Sequence, residues 1–237
     1  MTKRILHVVT NVDHYQGYDH PTGLWLSELT HAWDVFEAAG YEQALVSPEG
    51  GKVPLEPRSL RWPVLDKSAK RWLNDPEKVR LLENTARPED MNADDFDAIY
   101  YTGGHAVMYD FPDHTGLQQL ASGIWSKGGV VSAICHGYCG LLNIPDSDGN
   151  LIVSGRSLTG FSWTEEILAA VSKKVPYNCE QEMKDRGADY RKNLLPFTTN
   201  VVTDGCLVTG QNPGSATATA KAVVSVLKNR PQAPDAR

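Results

Sequence analysis

Cys135, His136 and Gly137 stand in a row where an apolar run (VVSAI) ends, and Cys139, Leu141 and Leu142 then return at helical spacing. A strand that breaks on a small nucleophile and turns at once into a helix is the layout of a nucleophile elbow. Its side chain projects from the carboxyl edge of the sheet, where open α/β folds place ligands. The N-terminus of the following helix is expected to favour a thiolate and so to depress the Cys135 pKa. Free cysteine is also a common small core residue. That blander role is the expectation for Cys139, Cys179 and Cys206, and it remains an alternative for Cys135.

Two further groups can act on the same chemistry. Glu28, in TGLWLSELTHAW, shares a helical face with Leu24, Trp25, Ala32 and Val35. It either sits at the edge of that stripe and reaches water, or is buried at a cost that raises its pKa. Buried against Cys135, it would suit general acid/base work on a carbonyl adduct. Ile99-Tyr100-Tyr101 runs into Thr102-Gly103-Gly104-His105, a strand ending in a glycine turn. The amides of Gly103, Gly104 and His105 can serve there as an oxyanion hole, although paired glycines serve any tight turn equally well.

The histidines narrow the choice. They are His7, His14, His20, His31, His105, His114 and His136, so none follows the nucleophile's own neighbour. Amidotransferase-type and papain-type sites need a base histidine well downstream of the cysteine. A base beside Cys135 is therefore His136 itself or a histidine from upstream. Asp13, His14, Asp19 and His20 can be read as metal ligands or as an ordinary polar loop after the first strand; no metal is assigned.

Apolar periodicity supplies the elements that must hold these groups. Residues 4–10, 43–47, 97–101 and 129–134 are expected strands, with helices over 21–39 and 117–127. Short apolar strands alternating with helices indicate an α/β fold, a mostly parallel sheet covered on both faces. The charged, proline-punctuated stretch 50–95 reads as surface excursions with short helical pieces around Trp72 and Leu81. Residues 150–159 and 200–209 look like hairpins, the second turning at Asp204-Gly205. A last helix is expected over about 215–228 after Asn212-Pro213, and 231–237 is expected to be a disordered tail.

Composition sets outer limits. At 237 residues, 41% hydrophobic and 22% charged, the chain can bury roughly 70% of its unfolded surface in one core, so a single domain over 1–230 is expected. Lys and Arg total 23 against 29 Asp and Glu, a net charge of -6, which argues against nucleic acid and anionic membrane as partners. No apolar run approaches the about 20 residues a bilayer requires. With no CxxC pair and no leader segment, the four cysteines point to free thiols in a cytoplasmic compartment.

The blocks TGLWLSEL, YYTGGHAVMYDFPDH, AICHG, GRSLTGFSWTEE, VPYNCEQEM and LVTGQNPGSA follow one another in the order and spacing of the ThiJ/PfpI superfamily. The chain resembles that superfamily's chaperone-type glyoxalase III branch over nearly its whole length. The resemblance implies a flavodoxin-like three-layer sandwich with small cap insertions, acting as a homodimer on a small reactive carbonyl. By position it implies Cys135 as nucleophile, Glu28 as the acid hydrogen-bonded to it, His136 as base and Glu166 as the residue orienting that base. Gly104 and the His136 amide would bind the oxyanion. Ala106, where a third glycine is common, and Tyr138, where proline is common, are departures expected to reshape the pocket mouth.

The activity so implied is glutathione-independent conversion of methylglyoxal to lactate, or of glyoxal to glycolate. Oxidation at one carbon balances reduction at the next, so no cofactor is expected, in keeping with the lack of a Gly-x-Gly-x-x-Gly turn or P-loop. Rival readings are a stress-response chaperone or deglycase, a thiol-based oxidation sensor, and another cysteine-dependent hydrolase or hydratase of the superfamily.

Overall fold

The computed structural model describes residues 2–229; the expected tail over 231–237 lies outside the described residues. Among the described residues there are eight strands and eight α-helices: β1 (Arg4–Val8), α1 (Leu26–Ala38), β2 (Glu42–Val46), α2 (Lys67–Asn74), α3 (Pro76–Glu83), β3 (Ala98–Tyr101), α4 (Val107–Asp110), α5 (Thr115–Ser126), β4 (Val130–Ile134), β5 (Ser157–Leu158), α6 (Trp163–Leu168), α7 (Cys179–Asp185), β6 (Asp189–Tyr190), β7 (Val201–Asp204), β8 (Leu207–Gly210) and α8 (Ala216–Asn229).

Six strands form one sheet in the order β2-β1-β3-β4-β8-β7, parallel except for the β7–β8 hairpin at one edge. The register explains the apolar runs. Along β1 and β4 alternate side chains enter opposite layers, so a strand covered on both faces must be apolar throughout. Ile5, Val130 and Ile134 pack with Phe36 of α1 and Val223 of α8. Leu6, Val131 and Ala133 pack on the other side with Leu117 and Ile124 of α5. This is the expected three-layer α/β arrangement. No described helix is long and apolar enough to cross a membrane.

Four local expectations are corrected. The helix expected over 21–39 begins only at Leu26, because Leu24 and Trp25 give their amides to Pro54 O (2.8 Å) and Gly103 O (3.0 Å) in an extended segment. That detour ties the start of α1 to the glycine turn after β3. The segment following β4 is a 3-10 helix over Cys135–Leu141 rather than an α-helix. Residues 150–159 form no hairpin; β5 pairs in parallel with the distant β6. The β7–β8 turn lies at Gly205-Cys206, which leaves Cys206 half-buried instead of in the core, whereas Cys139 and Cys179 are buried there.

β3 lies between β1 and β4 and delivers the glycine turn, so its packing governs the site. Replacing Ile99, fully buried in the α5-side core, by alanine is expected to lower stability by about 2–4 kcal/mol. A shift of the urea midpoint with an unchanged slope checks it.

Candidate active site

β4 ends against a strained residue. Cys135 has φ +54°, a left-handed conformation that a non-glycine residue adopts only at a cost. The geometry is that of the expected elbow. The 3-10 segment after it is held close to β3: a methyl group on Gly137 would lie 2.2 Å from Tyr101 O. Cys135 is 3% exposed, and its sulfur lines a cavity of about 140 Å³ with Trp25, Arg58, Gly104, His136, Phe161 and Phe197 among the other walls.

The thiol is not a standing thiolate. Burial, then the adjacent Glu28 carboxyl, push the Cys135 pKa well above its ordinary value. This corrects the expected depression by a helix terminus, which a 3-10 turn in a dry site with an acidic neighbour cannot sustain.

His136 lies beside it, Nδ1 3.5 Å from Sγ, while Nε2 is 2.7 Å from Glu166 Oε2. A carboxylate accepts only, so Nε2 carries the proton and Nδ1 keeps its lone pair toward sulfur. Glu166 is aimed by α6. There Ser162 and Glu165 form a capping box, and Glu165 also accepts from the Phe197 amide (2.7 Å) and Asn212 Nδ2 (2.9 Å). Burial works against Glu166 ionisation, but His136 and His105 outweigh it and hold the carboxyl well below the usual range.

Glu28, in the first turn of α1, is fully buried. Oε2 accepts the Gly103 amide at 2.7 Å. Oε1 has no partner at full hydrogen-bond geometry; the neighbouring Cys135 thiol acts on the carboxyl as a hydrogen-bond donor that lowers its pKa, as does the Gly103 amide. Burial pushes its pKa up to about 8, so at neutral pH it is largely a carboxylic acid. Of the two open readings of Glu28, the buried one is observed.

The glycine turn is partly reassigned. The Gly103 amide is taken by Glu28, so Gly103 is not an oxyanion donor. A methyl group there would come within 2.6 Å of Glu28 Oε2 and 2.9 Å of the His136 amide. Gly104, at φ +112°, lines the cavity beside Cys135, and among the described residues its amide has no acceptor. His105 is placed by its side chain: Nε2 donates to Glu166 Oε1 at 2.8 Å and Nδ1 lies 2.9 Å from Arg58 Nη2. Ala106 and Tyr138 do not line the cavity. Tyr138 is buried behind it and donates to Phe161 O at 2.9 Å.

Sequence reasoning missed Arg58, Glu56 and Tyr15, which converge behind His105, and the cavity walls Phe161 and Phe197. Among the described residues, the one cluster of metal-type donors is His105, His136 and Glu166. Both Nε2 protons already go to Glu166 and the Arg58 cation abuts His105, so hydrogen bonding accounts for this donor set without a metal. The loop alternative is not assembled: His14 Nδ1 pairs with Asp13 at 2.9 Å on the surface, and His20 lies against the Tyr15 ring.

Comparison with known proteins places this geometry among relatives. The model of the DJ-1/PfpI family matches residues 22–226. A glutathione-independent glyoxalase of Saccharomyces cerevisiae is 32% identical, covering 96% of this chain and 99% of its own. The crystal structure of glyoxalase III from Candida albicans superposes with a TM-score of 0.88 at 31% identity over 94% of this chain and 97% of that one. A 24 kDa rapid encystment protein from Francisella tularensis gives 0.91 at 34% identity, covering 95% and 99%.

Burial of Glu28 has a measurable thermodynamic signature. With a native pKa of about 8 against 4.5 unfolded, the native state binds the extra proton across that window. The group's contribution is therefore most favourable below pH 4.5 and is lost as pH rises through 8. Glu28→Gln is expected to be about 1–3 kcal/mol more stable than wild type at pH 8.5, with little difference at pH 4.5. Urea denaturation at the two pH values checks both the sign and the window.

Proposed function

The chain belongs to the DJ-1/PfpI family, and from this membership and the site geometry we propose that it is a glutathione-independent glyoxalase, converting methylglyoxal to lactate or glyoxal to glycolate. The observation that carries the proposal is the strained Cys135 between two buried acids of opposite protonation, Glu28 on one side and the His136–Glu166 pair on the other, in a small apolar cavity.

The reaction begins with proton transfer from the Cys135 thiol to His136 Nδ1 as sulfur bonds to the aldehyde carbon. The carbonyl electron pair moves to oxygen, and the amides of Gly104 and His136 receive the oxyanion. Because the thiol is buried and high in pKa, thiolate forms as the substrate is attacked instead of standing free. Neutral Glu28 gives its proton to the adduct oxygen and, now a carboxylate, takes the hydrogen from the former aldehyde carbon as the His136 imidazolium protonates the neighbouring carbonyl oxygen, which leaves an enediol and a neutral imidazole. Glu28 returns that proton to the neighbouring carbon and takes up the one released by the hydroxyl on the sulfur-bearing carbon, which yields the thioester of the hydroxy acid and restores the neutral acid. Water, deprotonated by His136, cleaves the thioester and restores the thiol. One carbon is oxidised as its neighbour is reduced, so the sum is substrate plus water, with no external electron acceptor.

An oxidation sensor requires an accessible thiolate, and the burial of Cys135 together with its raised pKa weighs against that reading. We also propose that residues 1–230 form one domain, and that the protein works as a cytoplasmic homodimer. A small carbonyl is then its partner, and the net charge of -6 disfavours nucleic acid and anionic membrane.

Purified protein given methylglyoxal without glutathione is expected to release D-lactate. Cys135→Ala should abolish turnover, and Glu28→Gln should lower kcat by about 10²–10⁴-fold, the span of a lost acid/base group. Enzymatic D-lactate determination reads all three. Wild-type protein that makes no hydroxy acid from either aldehyde would overturn the proposal.

A further inference from the structure

His105 occupies an unusual position, since it competes with His136 for the same carboxylate. Glu166 Oε1 accepts from His105 Nε2 at 2.8 Å and Oε2 is 2.7 Å from His136 Nε2. The two rings lie 4.2 Å apart between centroids. Two imidazoles on one carboxylate present two places for the proton that leaves Cys135. Only His136 faces sulfur, so a proton resident on His105 would repel the one that His136 must accept.

The far side of His105 decides between them. Arg58 Nη2 lies 2.9 Å from His105 Nδ1, and a guanidinium has no acceptor, so Nδ1 must offer a lone pair. The guanidinium cannot turn away. Glu56, 1% exposed, accepts Arg58 Nε at 2.8 Å and Nη2 at 3.1 Å, and Thr22 Oγ1 donates to Glu56 Oε2 at 3.0 Å. Nη2 also lies 2.9 Å from Tyr15 OH, so its two hydrogens are shared among His105, Glu56 and Tyr15. We propose that Arg58, clamped by Glu56, is a positioning residue that locks His105 as the neutral Nε2–H tautomer, so that the proton from Cys135 goes to His136.

The ionisable groups that act on His105 directly, His136, Glu166 and Arg58, fit this assignment. Arg58, Glu56 and Tyr15 stand behind Nδ1. Glu166 and His136 stand before Nε2, with Cys135 and Glu28 beyond His136. Burial first, then His136 and Arg58, pull the His105 pKa down to about 4 although Glu166 favours its charged form. Without the Arg58 cation, Nδ1 is open to a proton and the buried Glu166 carboxylate would hold it there. The charge would then settle on the imidazole that cannot reach sulfur.

This inference rests on His136 as the base of the proposed reaction, and its test avoids the proposed substrate. In ¹⁵N-histidine-labelled wild-type protein, His105 is expected to show an unprotonated Nδ1 and a protonated Nε2 throughout pH 5–8. In Arg58→Gln the His105 titration should move up by at least about one pH unit. The acidic limb of Cys135 alkylation by iodoacetamide should move up by the same amount, which lowers the rate about threefold at pH 4.5 and leaves it nearly unchanged at pH 7. Arg58→Lys keeps a cationic donor and should restore at least half of both shifts. A wild-type Nδ1–H tautomer at His105 would overturn the proposal even if neither variant folds. So would a folded Arg58→Gln whose His105 titration and alkylation profile match wild type, or an Arg58→Lys that restores nothing. Inactivity toward methylglyoxal with these results intact would refute the glyoxalase reading and leave the lock standing.

Discussion

The left-handed backbone at Cys135 is the constraint on which the site depends. A φ of +54° at a non-glycine residue costs on the order of 1–3 kcal/mol and persists only where the surroundings leave no other path. Those surroundings are specific. β4 is paired on both sides, so the chain enters the turn in a fixed direction. Gly137 and Gly140 then let the exit pack onto Tyr101 at distances any side chain would forbid. The turn puts sulfur at the carboxyl edge of the sheet. The same edge receives the glycine turn after β3, while α1, tied to that turn through Trp25, brings Glu28.

Environment then separates two carboxyl groups that are chemically alike. Glu28 has one backbone donor and no cation, so desolvation dominates and the acid stays protonated near neutrality. Glu166 is nearly as buried, but two imidazole N–H groups serve its two oxygens, and it stays ionised. Divergent protonation states in neighbouring acids are what acid and base roles require. The division follows from which elements meet each group: α1 carries its acid into the apolar layer under the sheet edge, and α6 carries its acid onto a histidine pair.

The legible part of this arrangement was the part written locally. A strand running into Cys-His-Gly, an acid within an apolar helical stripe and a strand ending in paired glycines each carry their signal in a few adjacent residues. Cys135, His136, Glu28 and Gly104 could therefore be picked out, and Glu166 through its sequence block. Arg58 lies in a single 3-10 turn over Pro57–Leu60 that Glu56 caps, between β2 and α2; a turn that short has no period to mark it, and the pair reaches His105 only through the tertiary fold. Gly103 was assigned the wrong duty because its amide direction depends on where α1 docks. The sign of the Cys135 shift failed for a related reason. A helix terminus is readable in sequence, but the desolvation that overrides it is a property of the assembled cavity. The pairing of β5 with β6, about thirty residues apart, replaced an expected hairpin because a hairpin needs turn chemistry at its midpoint and this segment found a partner elsewhere.

A buried, high-pKa thiol is at first sight a poor nucleophile, and the geometry shows why it need not be one. A standing thiolate is open to peroxide and to any passing electrophile. In the proposed reaction, a neutral thiol with a lone pair at Nδ1 3.5 Å away would become a thiolate only when a carbonyl accepts the charge as it forms. For that to work the imidazole must be able to take a proton without an adjacent cation opposing it. Two histidines on one carboxylate endanger this condition, because either can become the cation. Arg58 removes the ambiguity by spending the Nδ1 lone pair of His105. A positive charge set behind the wrong histidine thus does for His136 what a closer contact could not, since it leaves the Nδ1 of His136 free to face sulfur.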